Sequence, residues 1–343
     1  MNTGKESNER LRPRGIIACL TVGFEMLTQS LSVVALPVVL DLILWLGPRI
    51  SVGPLLRAMV PMLVSHSSAN PEVRGQVQEA VRLLELFGER FNLLSVLGGI
   101  PLFQVPSLLA RRAQAVGSPL GDPRVVSVSS VLTLVPWWGV LALVGLILGF
   151  LYLNEIAHQV TDEGLSTLTA TQTRDGEKVA EARSLRTGLQ KLLRFLLFVF
   201  GLLIVISVLV PLWTLMVALG ASIAQPLGIL LWVAGVGFLS YAGLHLLFVI
   251  PSIFLGGRRL LHAIGESVVL SHVHLSSVLG FVLLAVVIYE GLGYAWSLPS
   301  SKSWAMLIGI LGNAFVATGL TSAIFVFYRD RLVLRHWLTR TAD

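Results

Sequence analysis

Three ionisable residues stand inside long apolar runs: Asp41, His245 and Glu290. On insertion scales an Asp at the centre of a spanning helix costs ~2.5 to 3.5 kcal/mol, so each such group must either do chemistry or be satisfied by a partner. Asp41 lies six residues before Gly47 and Glu290 eight before Leu298. At helical rise that is roughly 9 and 12 Å below the same boundary of the apolar layer. Two carboxylates at similar depth are what a proton, cation or polar-substrate site requires. Asn313 mirrors Glu290 across the short turn 299–303, and its amide could equally hold a buried carboxyl with no further role. Asp41 has a second alternative, to snorkel toward water or to pair with Arg49 about two turns on. His245, one turn after Tyr241, reads either as hydrogen-bonded packing or as a proton relay.

Other chemistry finds little to build on. No phosphate loop, HExxH or nucleophile elbow occurs in the sequence. Asp175, Gly176 and Arg183 only partly match the DGxxAR opening of CDP-alcohol phosphatidyltransferases, with Ala and Arg out of register. His158, Asp162 and Glu163 share a loop without a fourth ligand, so no metal is expected. Cys19 is the single cysteine, which excludes an internal disulfide and a thiolate metal site. Neither an enzyme nor a cofactor is expected.

The elements that must carry these residues follow from hydropathy. Of 343 residues, 55% are hydrophobic and 13% charged, about half the usual charged share of a soluble domain. That composition excludes a disordered chain or an ordinary cytosolic one. Uncharged or nearly uncharged runs at 30–47, 131–153, 195–219, 227–250, 278–298 and 304–327 are each long enough to cross a ~30 Å hydrocarbon layer as a helix. The expected fold is all-α and polytopic, with six spans and both termini on one side. No cleaved signal peptide is read in the polar start.

Lys and Arg orient it. With the N-terminus inside, the inner segments 1–29, 154–194, 251–277 and 328–343 hold sixteen basic residues, while the short outer loops hold only Lys302. That is the positive-inside pattern of a plasma-membrane protein with cytoplasmic N- and C-termini. The eight basic residues of 48–130 do not oppose it, because loops this long translocate regardless of charge. Trp45, Trp137, Trp138, Trp213, Trp232, Trp296 and Trp304 all fall in the outer part of their helices, as an aromatic belt would.

Segment 48–130 is expected to be an extracytoplasmic helical cap. Val77, Val81, Leu84, Phe91 and Leu94 stripe a helix over 71–97, 54–64 reads as a shorter helix, and Gly98, Gly99, Pro101 and Pro106 mark a break. Three amphipathic inner segments, 16–29, 177–194 and 258–277, each lead into two spans, which suggests three units of interfacial helix plus hairpin. Gly145 and Gly149 form a GxxxG that permits close approach. The net charge of +6 is explained by inner faces resting on anionic headgroups, without nucleic acid.

The run Ala263-Ile264-Gly265-Glu266-Ser267, followed by Val278-Leu279-Gly280-Phe281, resembles the bacterial YciC-like proteins and the membrane domains attached to glycerophosphodiester phosphodiesterases. In that family the phosphodiesterase chemistry lives in a separate soluble barrel, for which this chain has no room. The resemblance therefore implies a membrane module and brings no catalytic residue. The expected function is a non-enzymatic integral membrane module that binds or organises lipids or a membrane partner. The alternative is a small permease or proton- or cation-coupled transporter using Asp41 and Glu290.

Overall fold

The computed structural model describes residues 14–66, 71–100, 102–112, 117–121, 123–166 and 177–340. In order, these form α1 (Ile16–Gln29), α2 (Ser32–Leu46), strand β1 (Arg49–Ser51), α3 (Gly53–His66), α4 (Pro71–Arg90), a 3-10 turn (Leu93–Leu97), α5 (Leu108–Arg112), β2 (Val125–Ser127), α6 (Val131–Ser166), α7 (Glu177–Ile223), α8 (Gln225–Leu246), α9 (Val249–Gly256), α10 (Leu260–Val273), α11 (Leu275–Trp296) and α12 (Met306–Arg340). The fold is all-α apart from one pair of three-residue strands. Among the described residues five helical segments are long and apolar enough to cross a membrane: Val131–Thr161, Arg186–Ile223, Gln225–Gly256, Leu275–Trp296 and Met306–Leu332. A sixth arises if α1 and α2, a bent pair, count as one span.

The chain divides into two compact units. The first comprises Met1–Met26, Leu153–Val286 and Leu320–Asp343, and the second Leu27–Tyr152 and Val287–Gly319.

In the first unit α7 runs unbroken for 47 residues. The expected interfacial helix 177–194 is thus not a separate element but the first part of this helix. No Pro or adjacent Gly pair interrupts residues 177–210, where strong helix formers such as Leu, Gln, Lys and Arg carry the helix through, and Pro211 lies inside it further on. The α7–α8 seam is built on small residues. A Cβ at Gly235 would collide with the Trp213 indole, and one at Gly228 would meet Ala221 Cβ at 2.6 Å. Trp213 Nε1 donates to Leu231 O at 3.1 Å across this seam. Away from it, Ile204, Val208, Leu212, Leu230, Val233 and Phe238 are exposed, as on helices whose solvent is lipid rather than water.

In the second unit, segment 48–130 folds as helices tied by two short strands that hydropathy had not suggested. Strands β1 and β2 pair in parallel with Arg49 opposite Val125 and Ser51 opposite Ser127. Asn92 Oδ1 accepts from Ile50 N at 3.1 Å and Leu94 N at 3.2 Å, so one side chain closes the strand and caps the 3-10 turn. Leu102, in the left-handed region at φ 66°, turns the chain after the Gly98–Gly99 break. The strand of residues that follows lies against α6, where a Cβ on Gly149 would strike Phe103 O and one on Gly145 would stand 2.7 Å from Leu97 O. The GxxxG therefore admits loop backbone rather than a second helix. Trp45, placed in the aromatic belt by sequence, is instead buried, donating from Nε1 to Ser301 O at 2.8 Å and meeting Trp304 edge-on at 5.7 Å.

Candidate functional site

Helix α5 has five residues, too few to bond its own leading amides, and it lies where water cannot reach them. Ser107, directly before it, caps Ala110 N with its hydroxyl oxygen at 2.9 Å. Asp41 of α2 supplies the rest. Its carboxylate accepts from Leu108 N at 3.0 Å, from Leu109 N at 3.1 Å and from the Ser107 hydroxyl. Asp41 is completely buried, so it neither snorkels nor stands open to a solute. Three donors converge on an acceptor-only group, and the positive end of the helix faces its charge.

The last turn of α5 carries Arg111. Its guanidinium lies over the Tyr289 ring at 4.3 Å and its Nη1 is 3.2 Å from Glu290 Oε1. The space comes from Gly293, where a Cβ would stand 3.1 Å from Arg111 Cζ. Glu290 is largely exposed, at 64% of its side chain, whereas Arg111 is mostly covered, at 20%. Asp41 and Glu290 therefore do not share a cavity. They sit at the two ends of one short helix, the first on its amides and the second on its arginine.

The expected bond between Glu290 and Asn313 is replaced by this ion pair. Asn313 is buried, and its Nδ2 has no hydrogen-bond partner among the described residues. A charge-assisted bond to a guanidinium is about twice as strong as one to a neutral amide, so Arg111 prevails wherever it can reach. Hairpin symmetry could not reveal a competitor arriving from a distant segment.

In the first unit His245 closes α8 at a break in the long apolar segment. Its Nδ1 is 2.9 Å from Tyr241 O and its ring is 4.2 Å from that of Tyr241. Here serines of α10 bond to the backbone of the turn that joins α8 to α9. Ser267 Oγ donates to His245 O at 2.6 Å and accepts from Phe248 N at 3.1 Å, while Ser271 Oγ donates to Leu244 O at 3.0 Å. Below the break, buried Glu266 accepts from Ser252 Oγ at 2.7 Å and from Tyr328 OH at 2.9 Å on the same oxygen.

Ser252, Ser267, Ser271, Glu266 and Tyr328 do not stand out as charges within apolar runs. Serine costs little in an apolar helix, and Glu266 lies in a segment read as interfacial. The usable signal was the spacing of Ser267 and Ser271 on one helix face, opposite a segment interrupted by Pro251. Among the described residues no group of three or more His, Cys, Asp or Glu side chains could hold a metal ion. No protein-family model, curated protein or solved structure matches the chain.

Proposed function

We propose that the chain is a non-enzymatic, six-span module of the plasma membrane, with both termini cytoplasmic, that binds or organises lipids or a membrane partner. One observation carries this reading: the intramembrane groups Asp41 and Glu290 are taken up by contacts within the chain, one by the amides opening α5 and the other by Arg111. A carboxylate that serves a solute must be free to exchange partners, and Asp41 is fully enclosed. The broad exposed apolar faces of α7 and α8 support the lipid side of the reading. The likeness to YciC-like membrane modules agrees with it, with 30–47 as the first span and 16–29 as the interfacial helix before it.

Two measurements test it. In cells, a cysteine at Ser118 should label from outside and one at Ser184 should not; labelling at Ser184 alone would reverse the orientation. In proteoliposomes, Glu290→Gln should leave expression and any uptake unchanged. Normal expression with abolished proton- or cation-dependent uptake would replace the module with a permease.

A further inference from the structure

His245 gives one ring nitrogen to the fold and keeps the other. Its Nδ1 is 2.9 Å from Tyr241 O, and a carbonyl oxygen only accepts, so the proton of the neutral ring sits on Nδ1. Nε2 is left with its lone pair. This is the arrangement in which histidine binds a metal: a backbone carbonyl holds one nitrogen, fixing tautomer and ring orientation, and the other nitrogen is the ligand. The Tyr241 ring, 4.2 Å from the imidazole, and the enclosure of His245 at 7% exposure leave the ring little freedom to turn.

A second imidazole stands beside it. His272, in the last turn of α10, has its ring centroid 6.5 Å from that of His245. The backbones that carry the two rings are tied together, because the Ser271 hydroxyl donates to Leu244 O at 3.0 Å and the Ser267 hydroxyl to His245 O at 2.6 Å. With metal–nitrogen bonds of about 2.0 to 2.1 Å, two imidazoles on one Zn2+ have centroids roughly 5 Å apart at a tetrahedral angle and roughly 6.4 Å apart when collinear. His272 is exposed, so a turn about its own side-chain bonds closes a gap of about 1 to 1.5 Å without moving either helix. Among the described residues no third His, Cys, Asp or Glu joins the pair.

We infer that His245 and His272 form a two-histidine site for an imidazole-binding divalent cation, Zn2+ before others, which fastens α8 to α10 beside the α8–α9 turn. Neutral imidazoles suit zinc and copper, whereas Mg2+ and Ca2+ take oxygen ligands and do not compete. With two protein ligands and water in the remaining positions the ion exchanges readily, so the pair responds to the level of zinc, unlike a closed structural site. Tyr241 positions His245 through its carbonyl, and the two imidazoles hold the metal. The site goes beyond the membrane-module reading and stands whether or not the chain organises lipids.

The full-length protein, purified in detergent without a histidine tag and stripped with EDTA, would be titrated with ZnCl2 by calorimetry. Wild type should bind Zn2+ at a single site, and MgCl2 should give no comparable heat. His272→Ala removes an exposed ring and should weaken Zn2+ binding roughly tenfold or more. His262→Ala, which removes another exposed imidazole of α10, should leave it unchanged. No Zn2+ binding by wild type, wild-type affinity in His272→Ala, or an equal loss in His262→Ala would overturn the site. Should His272→Ala fail to elute as wild type on size exclusion, Cu2+ on the wild-type protein gives the second readout: its electron paramagnetic resonance should show coupling to two imidazole nitrogens, and coupling to one or none would overturn the pair.

Discussion

Both units of this molecule contain a helix end in apolar surroundings, and they satisfy its backbone with opposite chemistry. In the second unit the orphaned groups are the donors that open α5, and a carboxylate, Asp41, answers them. In the first unit, where α8 gives way to α9, the groups engaged are acceptors, the carbonyls of Leu244 and His245, and hydroxyls bond to those. The sign of the backbone group selects the side chain: amides call for an anion, carbonyls for a neutral donor. An acid within a span is thus no stronger a mark of a ligand than a serine when backbone is waiting for it.

The comparison can be broken most sharply at Asp41. Asp41→Ala leaves two buried amides and the Ser107 hydroxyl without their acceptor and should cost roughly 3 kcal/mol or more, seen as a large drop in melting temperature in detergent. Asp41→Asn keeps one acceptor oxygen and should recover part of the loss. A melting temperature within a degree of wild type for Asp41→Ala would show that α5 does not depend on the carboxylate.

Gly149→Ala comes next, because its new methyl meets loop backbone rather than a movable side chain. A loss of about 1 to 3 kcal/mol is expected, and protease cleavage near Phe103 should rise if the loop is displaced. At the α8–α9 break, Ser267→Ala removes both a donor and an acceptor and should cost about 1 to 2 kcal/mol, against less than about 1 for Ser271→Ala. Equal losses would mean that the Phe248 amide finds another partner. The smallest effect belongs to the Arg111–Glu290 pair. With Glu290 mostly exposed, Glu290→Gln should change stability by less than about 1 kcal/mol, and Arg111→Gln somewhat more because the guanidinium also covers Tyr289.

Hydropathy was sufficient to place five long apolar helices, since a run of twenty apolar residues has few alternatives to a helix, whereas the expected span 30–47 is a helix of only 15 residues. Their ends were less legible: Arg194, read as the end of an interfacial segment, lies well inside α7. Strands β1 and β2, three residues each, are held by pairing between segments about seventy-five residues apart, a relation that no local pattern contains. The same limit governs the polar residues. The cost of Asp41 is visible in the sequence, but its partner lies 66 residues on, and hairpin spacing points Glu290 to Asn313 whereas its partner is Arg111, from a distant segment. Ser267 and Ser271 drew no attention because an apolar helix tolerates serine without strain.

The enclosure of Trp45 gives the second unit an optical reporter. Of the eight indoles in the sequence, Trp45 is 1% exposed, while Trp137, Trp138, Trp232 and Trp304 are each more than half exposed. Brominated acyl chains should quench the fluorescence of those four on contact and spare Trp45, whose ring lies out of their reach. A protein keeping Trp45 as its sole indole would emit at short wavelength, resist quenching, and shift to the red as the hold of the Ser301 carbonyl on its ring nitrogen is released, so that loosening of this one corner could be followed by colour alone.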